Sequence, residues 1–146
     1  LATRAFLIAP LHPPHRPPRG QDTTRLLNAI RNPHVDLIAH PTGRLLPDRS
    51  GADLDWQAVY AALKEHGTML EINASPTRLD ADDAHTRHAA GLGVPIAINT
   101  DAHAPNGLDE MIYGVSVARR AGLEAPQVVN TWETQRLLDW LKHRGK

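Results

Sequence analysis

Short apolar runs alternate with segments of helical periodicity along the chain. "AFLIA" (Ala5–Ala9), "VDLIA" (Val35–Ala39), "TMLEIN" (Thr68–Asn73) and "VPIAIN" (residues 94–99) are nearly continuous in apolar character, which predicts strands apolar on both faces. Between them, "DTTRLLNAI" sets Leu26, Leu27 and Ile30 on one helical face, with Asp22 or Thr23 as its N-cap. "LDWQAVYAALKEHG" aligns Leu54, Val59, Ala62 and Leu63 and ends on Gly67 at the C-cap position. "DADDAHTRHAAGLG" reads as a helix with acidic residues at its positive end. "LDEMIYGVSVARRAG" predicts the next helix, and "NTWETQRLLDWLKHRG" the last, with Asn130 and Glu133 spaced as a capping box. Four strands alternating with helices predict an α/β fold of about four βα units around a mostly parallel sheet.

Composition narrows this picture. The 146 residues amount to one domain, spanning 1–146, with 41% hydrophobic residues to build a core. No linker or repeat divides it, and Pro13, Pro14, Pro17 and Pro18 mark an extended surface loop. Net charge is +0, which excludes a global basic field of the kind that binds nucleic acid non-specifically. No run reaches the roughly 18 to 20 apolar residues that span a bilayer, and the opening decapeptide lacks a signal pattern, so the expectation is a cytoplasmic protein. With Cys 0, any metal site must use imidazole and carboxylate, and the 9 histidines bring that chemistry into play.

Functional groups of parallel α/β folds gather at the carboxyl ends of the strands. Here the first strand leads to His12, the second ends in His40, the third carries Glu71 and Asn73, and the fourth ends in Asn99, Asp101 and His103. Singly, each has an ordinary alternative: Asp101 as an Asx-turn or cap residue, Glu71 in a charge pair at a sheet edge, Asn73 as a turn cap. Together they predict a shared rim whose His and Asp donors suit Zn²⁺ or Mn²⁺. His34, His66, His85, His88 and His143 are assigned structural roles, the pair at 85 and 88 on a solvated surface. Trp56, Trp132 and Trp140 are expected as core anchors.

Three stretches then resemble a known family. "HPTGRLL" (His40–Leu46), "EINASPTRLD" (Glu71–Asp80) and "INTDAHAPNGLDEMIYGVSVARRAGL" (Ile98–Leu123) are similar to the PHP (polymerase and histidinol phosphatase) domain, in the version fused to bacterial family X DNA polymerases. The resemblance implies a distorted (β/α)7 barrel whose rim holds up to three metal ions and hydrolyses phosphate esters. By matching motifs, His12, His40, Asp101 and His103 become metal ligands, with Asp101 and His103 central to catalysis. Arg44 becomes a phosphate contact, and Glu71, Asn73 and Asn99 line the rim. The family's opening His-x-His motif, and the histidine and bridging glutamate after it, have no counterpart, so the chain resembles the C-terminal half of such a barrel.

Three functions follow as expectations. The first is a metal-dependent 3′–5′ exonuclease acting on DNA 3′ ends, the second a phosphomonoesterase of the histidinol-phosphatase kind. The third is a catalytically incomplete half-barrel, an interaction module that pairs with a complementing half or with itself, because an open barrel exposes strand edges.

Overall fold

The computed structural model describes residues 6–11 and 20–144. The four strands are β1 (Ile8–Pro10), β2 (Leu37–Ala39), β3 (Met69–Asn73) and β4 (Ile96–Asn99), all parallel and in the order β1-β2-β3-β4. Strands β2, β3 and β4 sit inside the apolar runs that predicted them, shortened at the start, while β1 starts late in its run and extends one residue past it to Pro10. Five α-helices follow in turn: α1 (Gln21–Arg31), α2 (Trp56–His66), α3 (Asp83–Gly91), α4 (Met111–Arg120) and α5 (Thr134–His143). The arrangement is α/β and compatible with part of a βα barrel. No helix among the described residues is long and apolar enough to cross a membrane.

Side chains alternate across the sheet and so divide it into two faces. Ile38, Leu70, Ile72, Ile96 and Ile98 face the main core, where Leu26 and Ile30 of α1, Val59 and Leu63 of α2, Ala89 of α3 and Val117 of α4 meet them. Helix α4 lies close: a Cβ on Gly114 would stand 2.5 Å from Ile98 Cγ2 and 2.8 Å from Ala74 Cβ, so only glycine fits there. On the opposite face, Leu37, Met69 and Ala97 form a second cluster covered by Trp132, Leu137 and Trp140. Its lower end is closed by an ion pair in which Arg144 Nη1 lies 2.6 Å from Asp36 Oδ1, both side chains buried. Asp36 Oδ2 also accepts the Leu7 N–H at 2.9 Å.

Several local expectations are corrected. Strand β1 is not buried on both faces, since it is an edge strand with Ile8 47% exposed. Helix α1 starts after Gly20, whose φ of 82° turns the chain into it, while Asp22 is buried in the first turn beside Arg25. Residues 105–110 form a 3-10 turn before α4 begins. The capping box lies at Glu124 and Gln127 instead of Asn130 and Glu133. Asn130 is used otherwise: its side chain accepts the Ile98 N–H and donates to the Ile98 carbonyl, both at 2.8 Å, satisfying the outer edge of β4.

The cap at Gly67 (φ 60°) forms where it is predicted, and among the acidic residues at the start of α3 it is Asp82 whose side chain accepts the His85 N–H. The three tryptophans are partly buried and pack against the two clusters. His85 and His88 are more engaged than a solvated surface implies. His85 stacks on Trp56 with ring centroids 3.9 Å apart, and its Nδ1 lies 2.7 Å from the Tyr60 hydroxyl. His88 stacks on Tyr60 at 4.4 Å. Burial, and then the charge of Asp82, push the Tyr60 hydroxyl up to about 12.

Candidate active site at the carboxyl ends of the strands

The upper end of the second sheet face differs from the lower. There the alternation that buries Leu37, Met69 and Ala97 brings Ala39, Glu71 and Asn99 to the surface of a cleft of about 480 Å³. Its walls are Ile8, Pro10, Ala39, His40, Glu71, Arg78, Asn99, Asp101 and His103. Five predicted site residues therefore share one cavity: His40, Glu71, Asn99, Asp101 and His103. His12 lies outside the described residues.

Glu71 organises the floor. Its carboxylate accepts the His40 N–H at 2.6 Å, the Asn99 Nδ2–H at 2.8 Å and the Asn73 Nδ2–H at 3.4 Å. Those donors come from three successive strand ends, so one carboxylate sets their mutual positions. None of the three donors is a cation. Burial therefore dominates and raises the Glu71 pKa; the hydrogen bonds oppose this and the nearby Asp101 charge adds to it. Of the ordinary alternatives, the edge charge pair is not what Glu71 makes: β3 is an inner strand. The turn cap does hold for Asn73, whose Oδ1 accepts the Ser75 N–H at 3.1 Å. Asn73 is fully buried and does not line the cleft, a correction to its place on the rim.

The loops after β2 and β3 clasp each other. Thr42 donates its N–H and its hydroxyl to Asp80 Oδ2 at 3.0 and 2.8 Å, and the Leu46 N–H bonds the Thr77 carbonyl at 2.7 Å. Burial raises the Asp80 pKa against those hydrogen bonds and the Arg44 charge. Arg44 donates Nε to the Arg78 carbonyl at 2.5 Å and Nη2 to the Leu79 carbonyl. Its guanidinium is thus directed at backbone, not at the cleft, which corrects the expectation that Arg44 meets the phosphate.

Arg78 is the arginine in the wall. It donates Nη1 to the Arg44 carbonyl at 3.3 Å, and its Nε lies 3.5 Å from Asp101 Oδ2. Residue type alone could not separate the two arginines, because which one faces inward depends on how two loops meet. Thr42 and Asp80 were missed for the same reason, although all these residues lie within or beside the motif stretches.

Backbone conformation concentrates here. His40 and Asp101 take left-handed φ values of 30° and 58°, as does Leu79 at 47°. For residues with a Cβ such conformations cost on the order of 1–2 kcal/mol each. Asp101 forms neither of its ordinary alternatives: the cap of the following 3-10 turn is Ala104, and the local turn is closed by Thr100 Oγ1 accepting the Ala102 N–H. His103 Nδ1 lies 2.6 Å from the Asp101 carbonyl oxygen, so Nδ1 carries the hydrogen and neutral His103 keeps its Nε2 lone pair available. Asp101 and His103 are both exposed.

The donor set matches Mn²⁺ or Zn²⁺ in kind, with two imidazoles and two carboxylates lining one cleft, and with His103 Nδ1 bonded to a carbonyl so that Nε2 faces away from it. Among the described residues, however, no three His, Asp or Glu side chains stand together as a metal cage.

The chain is similar to several known bacterial proteins. It is similar to bacterial proteins described as probable phosphatases, being 30% identical over 132 residues to one from Thermoanaerobacter sp. (86% of this chain, 51% of that protein) and 30% over 154 residues to one from Edwardsiella ictaluri (100% and 60%). It is also similar, at 41% identity over 130 residues, to the DNA polymerase/3′-5′ exonuclease PolX of Bacillus subtilis, matching 89% of this chain and 23% of that protein. The chain spans just over half the length of these phosphatases and about a quarter of PolX. No family model matches it. The resemblance to the C-terminal half of a PHP domain, of the kind found in bacterial family X polymerases, is borne out.

Proposed function

We propose that the chain is the site-bearing part of a PHP-type phosphoesterase that removes nucleotides from DNA 3′ ends. The observation that carries this reading is the convergence of His40, Glu71, Asn99, Asp101 and His103 on one cleft, in a chain 41% identical to part of a 3′-5′ exonuclease. Mn²⁺ or Zn²⁺ ions would be held on separate ligands rather than in one cage, with Asp101 for one, His40 and His12 for a second and His103 for a third. When bound, such an ion supplies Lewis-acid chemistry to a phosphate ester.

The protein's own contribution is order. Glu71 ties the His40 backbone and the Asn99 side chain together, and the His103 imidazole is fixed by the Asp101 carbonyl. The left-handed turns at His40 and Asp101 set the backbone from which a buried wall residue and an exposed one project, without help from substrate.

The similarity to probable phosphatases supports a second reading, hydrolysis of a small phosphomonoester. The exposed β1 edge, with Phe6, Leu7 and Ile8 between 38% and 47% exposed, supports a third, an interaction module that completes its sheet with another half-barrel or a second copy. One experiment separates them. The purified chain is given Mn²⁺ and either a single-stranded oligonucleotide or histidinol phosphate, with Asp101→Ala as control. Release of 3′ nucleotides by the native chain alone supports the exonuclease, and release of phosphate alone the phosphatase. Turnover of neither substrate, with a dimer by sedimentation, leaves the interaction module.

A further inference from the structure

Helix α4 is apolar on both sides. Gly114, Val117 and Ala118 are its buried residues and pack toward the sheet. Yet Leu108 in the turn before it, then Ile112 and Val115, follow at helical spacing and are all exposed, so they form an outward ridge. Leu108 and Ile112 are 63% and 65% exposed, more than any other large apolar side chain among the described residues, and Tyr113 stands beside them at 48%. A helix that is apolar all round has the pattern of a buried one, and contiguous exposed apolar patches mark interaction sites. Opposite charges bound the ridge. Asp109 lies at its start and Arg119 at its end, both exposed, and neither meets an opposite charge within the chain among the described residues. Arg120 is engaged, with Nε 4.0 Å from Asp83. None of these residues lines the cleft.

We propose that this ridge is a self-association surface, on which a second copy of the chain docks its own α4 antiparallel. The charge pattern selects that occupant. A two-fold axis through the middle of the helix reverses its direction. Asp109 of one copy then comes opposite Arg119 of the other, twice over, while Ile112 and Val115 meet near the axis. A parallel pairing would set each charge against its own like, which is costly. A polyanion would meet the carboxylates of Asp109 and Glu110 first and be repelled. Gly114 seats α4 closely on Ile98 and Ala74, so the ridge is presented without rearrangement. One helix pair is a small interface, so the association is reversible and depends on concentration. It is separate from the β1 edge, which offers backbone groups of a strand and not a helix face.

Sedimentation of the full chain over a range of concentrations reads the association. The native chain is expected to pass from monomer to dimer in the micromolar range. Ile112→Asp places a carboxylate at the axis and should weaken the dimer about tenfold or more. Asp109→Arg and Arg119→Asp, measured singly, each set like charges opposite one another and should weaken it by a similar factor. Mixed in equal amounts, these two variants should recover the native affinity as a heterodimer, because each supplies the charge the other lacks. The double variant Asp109→Arg/Arg119→Asp should dimerise by itself. That reciprocal rescue is the signature of an antiparallel two-fold contact, and it shows at once that the single variants are folded. Leu7→Lys, beside the β1 edge, should leave the dimer intact. A monomer at every concentration, a dimer that survives Ile112→Asp, or single variants that recover neither on mixing nor in the double variant each overturn the proposal. So does a dimer lost in Leu7→Lys, which assigns the contact to the strand edge.

Discussion

The two ends of the sheet each bury a carboxylate, and they treat it in opposite ways. At the lower end Asp36, at the start of β2, is fully buried and is met by the Arg144 guanidinium at 2.6 Å. At the upper end Glu71 is nearly as buried, but its three hydrogen-bond donors are neutral, and its pKa is raised. A buried ion is tolerated when it is paired, so the lower end is a closed structural joint. Glu71 has no cation beside it, so burial raises the cost of ionising it. The difference teaches that the chain spends its stability at one end and reserves electrostatic tension for the other.

Breaking the lower joint is the largest test. Arg144→Met leaves Asp36 buried without its cation and is expected to cost about 3–5 kcal/mol of unfolding free energy, measured by urea denaturation. The cleft shares no residue with this joint, so the side-chain amide resonance of Asn99 should be unchanged in the molecules that remain folded. Asp101→Ala tests the opposite end. Under the proposed exonuclease reading it should cut hydrolysis of an oligonucleotide roughly a hundredfold or more, an electrostatic effect of the size seen when one preorganised group is removed, with a urea midpoint close to wild type because Asp101 is exposed.

A smaller effect is expected from Gly114→Ala, which pushes α4 off Ile98 and Ala74. Overpacking of this kind costs about 1–3 kcal/mol, and the shift should reach Asn99, the residue after Ile98, as a chemical-shift change in its side-chain amide.

The finest test follows the pH. Because the Glu71 pKa is raised in the folded protein, the native state holds a proton that the unfolded chain has already lost. That contribution is fully present below the ordinary carboxylate value of 4.5 and disappears as pH rises through the raised one. Stability should therefore fall from mildly acidic toward neutral pH, and Glu71→Gln should flatten the fall. Asp80, raised for the same reason, is untouched by that change and should leave part of the slope in place. A slope unchanged in Glu71→Gln would assign the tension to Asp80 alone.

Local periodicity was enough to read the elements, because a strand buried in a parallel sheet and a helix with one apolar face leave different marks on the chain. It misplaced features that depend on one specific partner. Asn130 has the spacing of a cap, yet Ile98 offers it two backbone groups that only the folded sheet brings near. Ile8 has the character of an interior strand residue and is exposed because β1 is the edge of the described sheet. In the site, His40, Glu71, Asn99, Asp101 and His103 were legible because every parallel strand delivers its end to the same rim. The two arginines were not, because residue type cannot show which of them turns outward.

From its residues alone the protein's order of strands and helices was determined, and with it the rim on which its ionisable groups collect; both follow from interactions within a few residues of each other. Tertiary structure decided the rest: that Arg78 and not Arg44 lines the cleft, that Asp80 binds the two loops, and that Asp36 and Glu71 meet opposite fates. Those outcomes depend on contacts between segments some thirty or more residues apart, whose geometry is set by packing and leaves no periodic trace in the sequence.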